Sequence, residues 1–474
     1  MNARPTRVIW PFGPYGTSIG LLLALTTPLY FLWTRKDPNH RLSLREIPLE
    51  IMNQRYYWHI LLYVVMFGFK AFTDHHNEPL KELVGGYTHF IHAIEGNFVH
   101  GVQSIIESEI IIQILSLHYL FAYLFIIWYP PVHHILSGDR DLADLSAMNY
   151  VFIYLLAVPF YLFFNVEVTS SYVPGVEALM YHDSWNIAFF TNNDPFDNGI
   201  PSLHIGLPIS LLLIHRAHLK ANGIEISTWR HRGLDRFIVA NVAIYSFSIL
   251  YLGIHWVSDI VPGLLLAVIC SKTCIHIQPL LREFGIRGAI QTFIDPHHIK
   301  AIVFAIIFGM LAISVAINGP GTDSEHPDFR MEGDDVRLDI LEIHSLSTPT
   351  IVTLTNVGDV PVQILLVDRD FVEPLSDRGF IDFESALPHG LSKTLEGDSE
   401  WSFEHLPENL LDVDVILMRS AQGSNEIAEV AVLADYPDSD TLLVSGILLC
   451  LPSFGLMGLF VGHVLSERRP DRSG

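Results

Sequence analysis

Residues 300–317 read KAIVFAIIFGMLAISVAI, and no charged residue follows Lys300 in this segment. A helix of about 20 residues crosses the hydrocarbon layer of a bilayer. Because lipid offers the backbone no hydrogen bonds, an apolar segment of this length is predicted to be a membrane-spanning helix. The character of the sequence changes directly after it, since residues 318–440 contain 27 acidic and six basic residues. The segment therefore separates a membrane part from an acidic domain.

Further apolar blocks resemble this one in length. The chain of 474 residues is 50% hydrophobic and only 17% charged, whereas soluble proteins average about 25% charged residues. We predict nine spans, at residues 16–33, 57–72, 110–129, 148–167, 200–217, 236–254, 256–276, 300–317 and 441–465. The predicted fold is an all-α polytopic membrane bundle with a C-terminal extracytoplasmic β-sandwich, located in the cell membrane.

The orientation follows from the basic loops, which normally face the cytoplasm. Four segments are rich in arginine or lysine: 35–55, 216–236, 282–300 and 466–472. Nine spans place all four on the same side and residues 318–440 on the other. The predicted division is 1–140, N-terminal spans with an amphipathic outer segment at 75–109; 141–317, a membrane core; 318–440, the acidic domain; and 441–474, the last helix and the cytoplasmic tail.

The acidic domain has the pattern of strands. Residues 350–356, TIVTLTN, and 360–367, VPVQILLV, alternate apolar and polar side chains, which predicts strands separated by turns. About 120 such residues favour a β-sandwich, which we expect to lie outside the membrane. It contains no cysteine, so no disulfide is expected.

The charge of this domain also carries information about the environment. Its net charge is −21, almost the whole −23 of the chain, and over the whole chain arginine outnumbers lysine threefold. Acid-rich, lysine-poor surfaces suit proteins that stay hydrated in concentrated salt. We therefore predict a halophilic source, and the alternative is simply an acidic surface domain.

Two short segments concentrate the residues that can carry chemistry. Residues 198–206, NGIPSLHIG, lie at the outer end of the fifth predicted span, and 251–259, YLGIHWVSD, lie between the sixth and seventh. Placing an ionisable group within a membrane costs several kcal/mol, so the presence of ionisable residues in these two segments requires an explanation. His255 and Asp259 are four residues apart and share one face of a helix. A carboxylate there fixes the tautomer of the imidazole and makes its other nitrogen a better nucleophile.

The start of the fifth span is predicted to receive an anion. Pro201 and Ser202 suit a helix start, with Ser202 or Asn198 as the N-terminal cap. The free backbone amides between Ile200 and Leu203 would attract a phosphate. His182 and the outer histidines are second candidates for that role. The candidate substrate-binding residues are Asn198, Ser202, Leu203 and His182.

These segments resemble the type 2 phosphatidic acid phosphatase superfamily over about residues 145–278. Residues 201–204, PSLH, look like its second motif, and Ser248 through His255 to Asp259 looks like its third. The resemblance implies a bundle of six helices with an extracytoplasmic site. It implies that His255 is the nucleophile that forms a phosphohistidine, that Asp259 orients His255, and that His204 protonates the leaving oxygen.

The chain departs from the family pattern at two places. The family's third-motif arginine would fall at Ile249, and no match to the first motif, a lysine followed by an arginine and a proline, is present. Leu203 stands where the family usually has glycine, as in the branch of inositol phosphorylceramide synthases. The missing cations also resemble that branch, and they equally permit an inactive site.

Two classes of function remain open. The first is a lipid phosphatase or an inositol-phosphate-type phosphotransferase that acts on a lipid phosphate at the outer face. The second is a non-catalytic membrane anchor or receptor that presents the acidic β domain. The expected partners are membrane lipids and a lipid phosphate, with no nucleic acid, no cofactor and no metal. For the histidines at 75, 76, 89, 92 and 100 we favour an interfacial helix over a metal site.

Overall fold

The computed structural model describes residues 13–35, 42–43, 45–106, 108–181, 186, 198–319, 326–341, 348–372, 381–406, 413–421, 426–436 and 439–467. The described chain is mostly helical and has a C-terminal antiparallel β region. His182, one of the predicted substrate-binding residues, lies outside the described residues.

The helices follow one another with short connections in the first half of the chain. They are α1 Gly13–Trp33, α2 Ile47–Asn53, α3 Tyr57–Val84, α4 Thr88–Glu95, α5 Phe98–Gln103, α6 Glu109–Leu136, α7 Arg140–Phe163, α8 Thr169–Tyr172, α9 Leu203–Asn222, α10 Arg232–Tyr251, α11 Ile260–Ile294, α12 Pro296–Ile317, α13 Phe383–Ala386 and α14 Ser439–Glu467. Helix α11 is interrupted at Gly285, where φ is 61°.

Seven described helices are long and apolar enough to cross a membrane: α1, α6, α7, α10, α11, α12 and α14. This agrees with a multi-pass membrane protein. The predicted spans 57–72 and 200–217 fall on α3 and α9, which are long enough but more polar. Helix α9 packs against α7, α10 and α11. A helix surrounded by protein needs less apolar surface than one that faces lipid.

The long helices alternate in direction, so the bundle has two ends. The basic end contains the start of α7 and the last part of α11, where Arg140 donates to Gln54 at 2.9 Å and Arg282 lies 3.4 Å from Asp144. The site end contains the end of α3 and the start of α9, where Asn77 donates to Asn198 at 2.7 Å. The basic loops thus lie opposite the two candidate motifs.

The predicted amphipathic outer segment, 75–109, is not one element. Residues His75 to Val84 continue α3 as one long helix. The short helices α4 and α5 follow, and α6 begins at Glu109. Helix α4 buries only Thr88 and Ile91. The sequence did not predict that α3 continues past residue 72, because polar residues follow the apolar ones there.

The C-terminal β region contains two four-stranded antiparallel sheets, which confirms the predicted β class of this segment. Its strands are β1 Phe329–Met331, β2 Val336–Leu341, β3 Thr350–Asn356, β4 Val362–Asp368, β5 Leu391–Leu395, β6 Glu400–His405, β7 Asp414–Ser420 and β8 Ala428–Asp435. The sheet orders are β1-β8-β3-β6 and β2-β7-β4-β5. Val352 and Leu354 of the first sheet share an apolar core with Ile364 and Met418 of the second.

The β region is docked on the site end of the bundle. Arg337, only 4% exposed, donates to the backbone carbonyl oxygens of Ser170 and Val176 and, at 2.9 Å, of Val173. A guanidinium is a rigid fork of donors, so it can satisfy several carbonyls of one loop. The arginine is buried because that loop replaces water as its hydrogen-bond partner.

The alternating helices lead to a topology prediction. With nine crossings, a tag after Gly474 should be reached only from the cytoplasmic side, and a tag within residues 318–440 only from the outside. Protease or biotin labelling of sealed vesicles of both orientations measures this. Labelling of both tags from the same side would refute the predicted arrangement.

The acidity of the β region leads to a second prediction. Carboxylates repel one another most when salt does not screen them. The unfolding midpoint of the detergent-solubilised protein should therefore fall as potassium chloride is lowered from molar to about 0.1 M. A midpoint that does not respond to salt would remove the basis of the predicted halophilic source.

Candidate functional site

The two motif segments meet where α9 crosses α11. A Cβ atom added to Gly263 would lie 2.6 Å from the carbonyl oxygen of Ser202, and one on Gly206 would lie 3.0 Å from that of Gly263. Only glycine permits such an approach at these positions. The amide of Ser202 donates to the carbonyl oxygen of Asp259 at 3.2 Å. Residues about 50 positions apart are joined in this way.

His255 lies at the centre of the crossing with one nitrogen held and the other free for chemistry. Its Nδ1 is 2.8 Å from Oδ2 of Asp259 and 2.9 Å from the carbonyl oxygen of Gly199. Because a carbonyl and a carboxylate only accept, Nδ1 carries the proton. In the neutral tautomer this leaves Nε2 as the nitrogen with the lone pair, and Nε2 lies 3.4 Å from Oγ of Ser202. The two side chains are in hydrogen-bond contact as predicted, but not on the predicted helix: His255 precedes the 3₁₀ turn Val257–Asp259, and α11 begins only at Ile260.

Asp259 is itself held in place. Its Oδ2 also accepts from the backbone amide of Trp256 at 2.8 Å, and its side chain is fully buried. The indole of Trp256, also fully buried, donates to the carbonyl oxygen of Glu167 at 2.8 Å. The turn between α10 and α11 is thereby fixed from both sides. An orienting carboxylate needs such second partners to hold one position.

His204 faces His255 from the first turn of α9. The two ring centroids are 5.8 Å apart and the ring planes differ by 62°. This is well below the ~12 Å beyond which two groups cannot flank one phosphate. The ring of His204 stacks on Tyr119 at 3.9 Å and lies 4.3 Å from Tyr123, both on α6.

The sequence did not predict the two tyrosines, although they stand four residues apart on an apolar helix. Such aromatic pairs are common in cores, so the spacing alone carries little information.

The predicted helix cap is only partly observed. Ser202 is the N-terminal cap residue of α9, but its side chain makes no capping hydrogen bond. Its hydroxyl faces Nε2 of His255 instead. The side chain of Asn198 accepts from Asn77 on α3, so it does not cap α9 either. Leu203 is the first residue of α9 and is buried. Ser202 is thus the cap residue by position, as predicted, but neither side chain makes the capping hydrogen bond, because tertiary partners bind both.

Glu95 covers the start of the neighbouring helix. Its carboxylate accepts from the backbone amides of Val257 at 2.8 Å and Ser258 at 2.5 Å, and also from the hydroxyl of Ser258. These amides would otherwise form an anion site at a helix start. The carboxylate of α4 thus takes the place of an incoming anion there, which leaves the start of α9 as the better position for a phosphate.

A buried ion pair lies beside the candidate site. Lys81 on α3 pairs with Glu167, and the two side chains are 9% and 4% exposed. The backbone amide of Glu167 donates to Thr88 at 2.9 Å, and its carbonyl accepts from Trp256. The sequence did not predict this pair, since Lys81 and Glu167 stand 86 residues apart. Breaking such a pair would leave one charge buried without compensation.

The position of the missing family arginine is apolar. Ile249 is fully buried, and Ser248 beside it is also fully buried. No cation stands there to hold a phosphate. Another group must therefore offset the phosphate charge if the site binds phosphate.

The predicted open pocket between the histidines is not shown. His204 is 8% exposed and His255 is 5% exposed. A cavity of 130 Å³ lies beside the turn instead, lined by His100, Gln103, Ser104, Ile106, Ser108, Ile112, Gly175, Glu177, Leu179 and Tyr251.

The outer histidines are dispersed. His76 bonds Ser445 at 2.8 Å, His89 stacks on His326, and His92 lies against Tyr172. Burial lowers the pKa of His89 and of His92. Over the described ranges, no three histidine, cysteine or acidic side chains are arranged to hold a metal ion.

Comparison of the chain with models of protein families, with characterised proteins and with solved structures finds no match.

The crossing leads to a prediction about Gly263. In Gly263→Ala the new methyl group must push Ser202 away, which should cost about 1–3 kcal/mol and lower the unfolding midpoint. Gly68→Ala is the matched control, because nothing lies within 4 Å of its added Cβ on helix α3. Thermal unfolding in detergent compares the two. Equal midpoints would show that the close approach of α9 and α11 does not matter.

Proposed function

We propose that the chain is a membrane-embedded lipid phosphoesterase or phosphotransferase that acts through a phosphohistidine at the outer face. One observation carries the proposal: in a buried His255–Asp259 pair, Asp259 holds Nδ1 of His255, and the His255 ring lies next to His204, with 5.8 Å between the ring centroids. An imidazole oriented by a carboxylate, with a second imidazole across the gap, is a suitable arrangement for nucleophile and general acid.

The reaction would proceed in two displacements. Nε2 of His255 attacks phosphorus, and the bond to the lipid alkoxide breaks as His204 donates a proton to it. Water or an alcohol then attacks the phosphohistidine while His204 removes its proton, and His255 leaves. Asp259 stabilises the charged imidazole ring without giving up a proton. Water as acceptor makes a phosphatase, and an alcohol makes a phosphotransferase.

In this proposal the substrate phosphate lies near Ser202, because Glu95 already occupies the start of α11. Of the amides predicted between Ile200 and Leu203, that of Ser202 donates to Asp259 and Pro201 has none, so the amides of α9 from Leu203 onward are the candidates. Backbone amides are suited to a site that lacks an arginine at position 249. Lys81 is the nearest buried lysine to the turn, although Glu167 already neutralises it.

The second candidate is a non-catalytic anchor or receptor, and the burial of both imidazoles favours it. A group that is 5% or 8% exposed meets no substrate without rearrangement. The docking of the β region speaks against it, because Arg337 inserts into the loop beside the site rather than leaving the domain free. Activity measurements decide between the two.

The test is product analysis with purified protein and a panel of lipid phosphates and pyrophosphates, with and without inositol. His255→Ala should abolish turnover and any phosphoenzyme. Asp259→Asn should lower the rate roughly 10²- to 10⁴-fold and leave the fold intact, because Asp259 orients rather than reacts. His218→Ala is the control, since His218 lies on α9 near its basic end, away from the site.

The proposal fails if the native chain forms no product and no acid-labile phosphoenzyme with any lipid of the panel. It also fails if His255→Ala retains the native rate. In either case the non-catalytic anchor or receptor becomes the better-supported hypothesis.

A further inference from the structure

A second group of histidines is buried at the basic end of the bundle. His133 and His134 come from α6, His215 from α9, and His231 directly precedes α10. All four are at most 2% exposed. The ring centroid of His231 lies 5.1 Å from that of His133 and 4.7 Å from that of His134, and His134 lies 5.7 Å from His215. Nothing in the proposed phosphate chemistry uses this group.

Two of these histidines form a directed chain of hydrogen bonds with Arg230 and Tyr129. Nε of Arg230 donates to Nε2 of His231 at 2.9 Å, so this nitrogen accepts. Nδ1 of His231 then donates to Nε2 of His133 at 3.1 Å, and Nδ1 of His133 donates to the hydroxyl of Tyr129 at 3.3 Å. Each neutral imidazole thereby donates once and accepts once.

One contact in this arrangement joins two hydrogen-bond acceptors. Nε2 of His231 lies 3.3 Å from Oδ2 of Asp139, which also accepts from Arg230 at 3.0 Å. A proton added to Nε2 would turn this contact into a charge-assisted hydrogen bond. The same proton would end the bond from Arg230, because both groups would then be donors. The side chains of Arg230 and Asp139 are 29% and 13% exposed, so the chain reaches solvent at this edge.

We propose that the His133–His231–Asp139 chain is a proton-binding site, in which His231 takes up the proton at acid pH and exchanges its bond from Arg230 for one to Asp139. The site joins α6, the start of α7 and the start of α10. Proton uptake therefore changes how these three helices are held at the basic end. The inference does not depend on the proposed enzyme activity.

The charged and titratable neighbours decide the pH at which this occurs. His133 and His134 face His231 from α6, Asp139 from the start of α7, His215 from α9 and Arg230 from its own segment. Asp235 on α10 lies one step further, 3.0 Å from His215, and also binds Arg216.

Burial lowers the pKa of His231 to about 4, against the opposing effect of Asp139. Burial would raise the pKa of Asp139, but His231 and Arg230 outweigh it and lower that pKa, so the acceptor stays ionised.

The lowered pKa of His231 decides how the stability of the folded chain depends on pH. A histidine whose pKa is lower in the folded chain binds fewer protons than in the unfolded chain between about pH 4 and 6.5. The folded arrangement therefore loses stability as the pH falls through this window. The neutral chain of hydrogen bonds is the form present at neutral pH.

Trp229 provides the readout, since its ring centroid lies 5.4 Å from that of His231 and 4.9 Å from that of His215. A protonated imidazole quenches indole emission, whereas a neutral one does so weakly. Emission attributable to Trp229, obtained by subtracting Trp229→Phe, should fall on acidification with a midpoint near pH 4 to 5. The loss should disappear in His231→Gln and persist in His218→Gln, whose imidazole lies at the same end but outside the chain.

Asp139→Asn tests whether the carboxylate stabilises the proton added to His231. An amide cannot stabilise the added charge as a carboxylate does, so the quenching midpoint should move to lower pH. Quenching that persists unchanged in His231→Gln, or a midpoint unmoved in Asp139→Asn, would overturn the proposal. So would quenching that a metal chelator abolishes, because the cluster would then be a metal site.

Discussion

Helices α9 and α11 touch through backbone rather than through side chains. The carbonyl oxygen of Ser202 occupies the space that any side chain at Gly263 would need, and the amide of Ser202 reaches Asp259. The position of His255 depends on this approach, because its Nδ1 binds both Gly199 on one segment and Asp259 on the other. The candidate site exists only while the two helices remain at this distance.

Elements distant in sequence hold that arrangement from outside. Helix α4 contributes Glu95 to the start of α11, α6 contributes the rings against His204, and the β region contributes Arg337 to the loop beside the turn. Buried polar groups of this kind are costly unless every partner is present. The site end is therefore one cooperative unit of the bundle and the β region.

Only features encoded in local patterns could be predicted from the sequence. Long apolar blocks predict helices because lipid leaves the backbone no other choice, and alternation predicts the strands of the β region. The spacing of His255 and Asp259 predicted a contact on one helix face; the contact is present, but it forms in the turn before α11. It did not predict Glu95, Tyr119 or the roles of Ser202 and Asn198, since those depend on which helices become neighbours. The polarity of α9 likewise has meaning only once its protein surroundings are known.

Helix α14 has a consequence for the order of events during synthesis. It packs between α3, α7 and α12, where Gly446 lies against Leu80 and Gly458 against Ile302. The ribosome delivers it only after the whole β region has emerged. Since domains generally fold as units during synthesis, the bundle has an open groove along α3, α7 and α12 while the β region is synthesised and folds. An insertion machinery or neighbouring lipid must cover that groove until the last helix closes it.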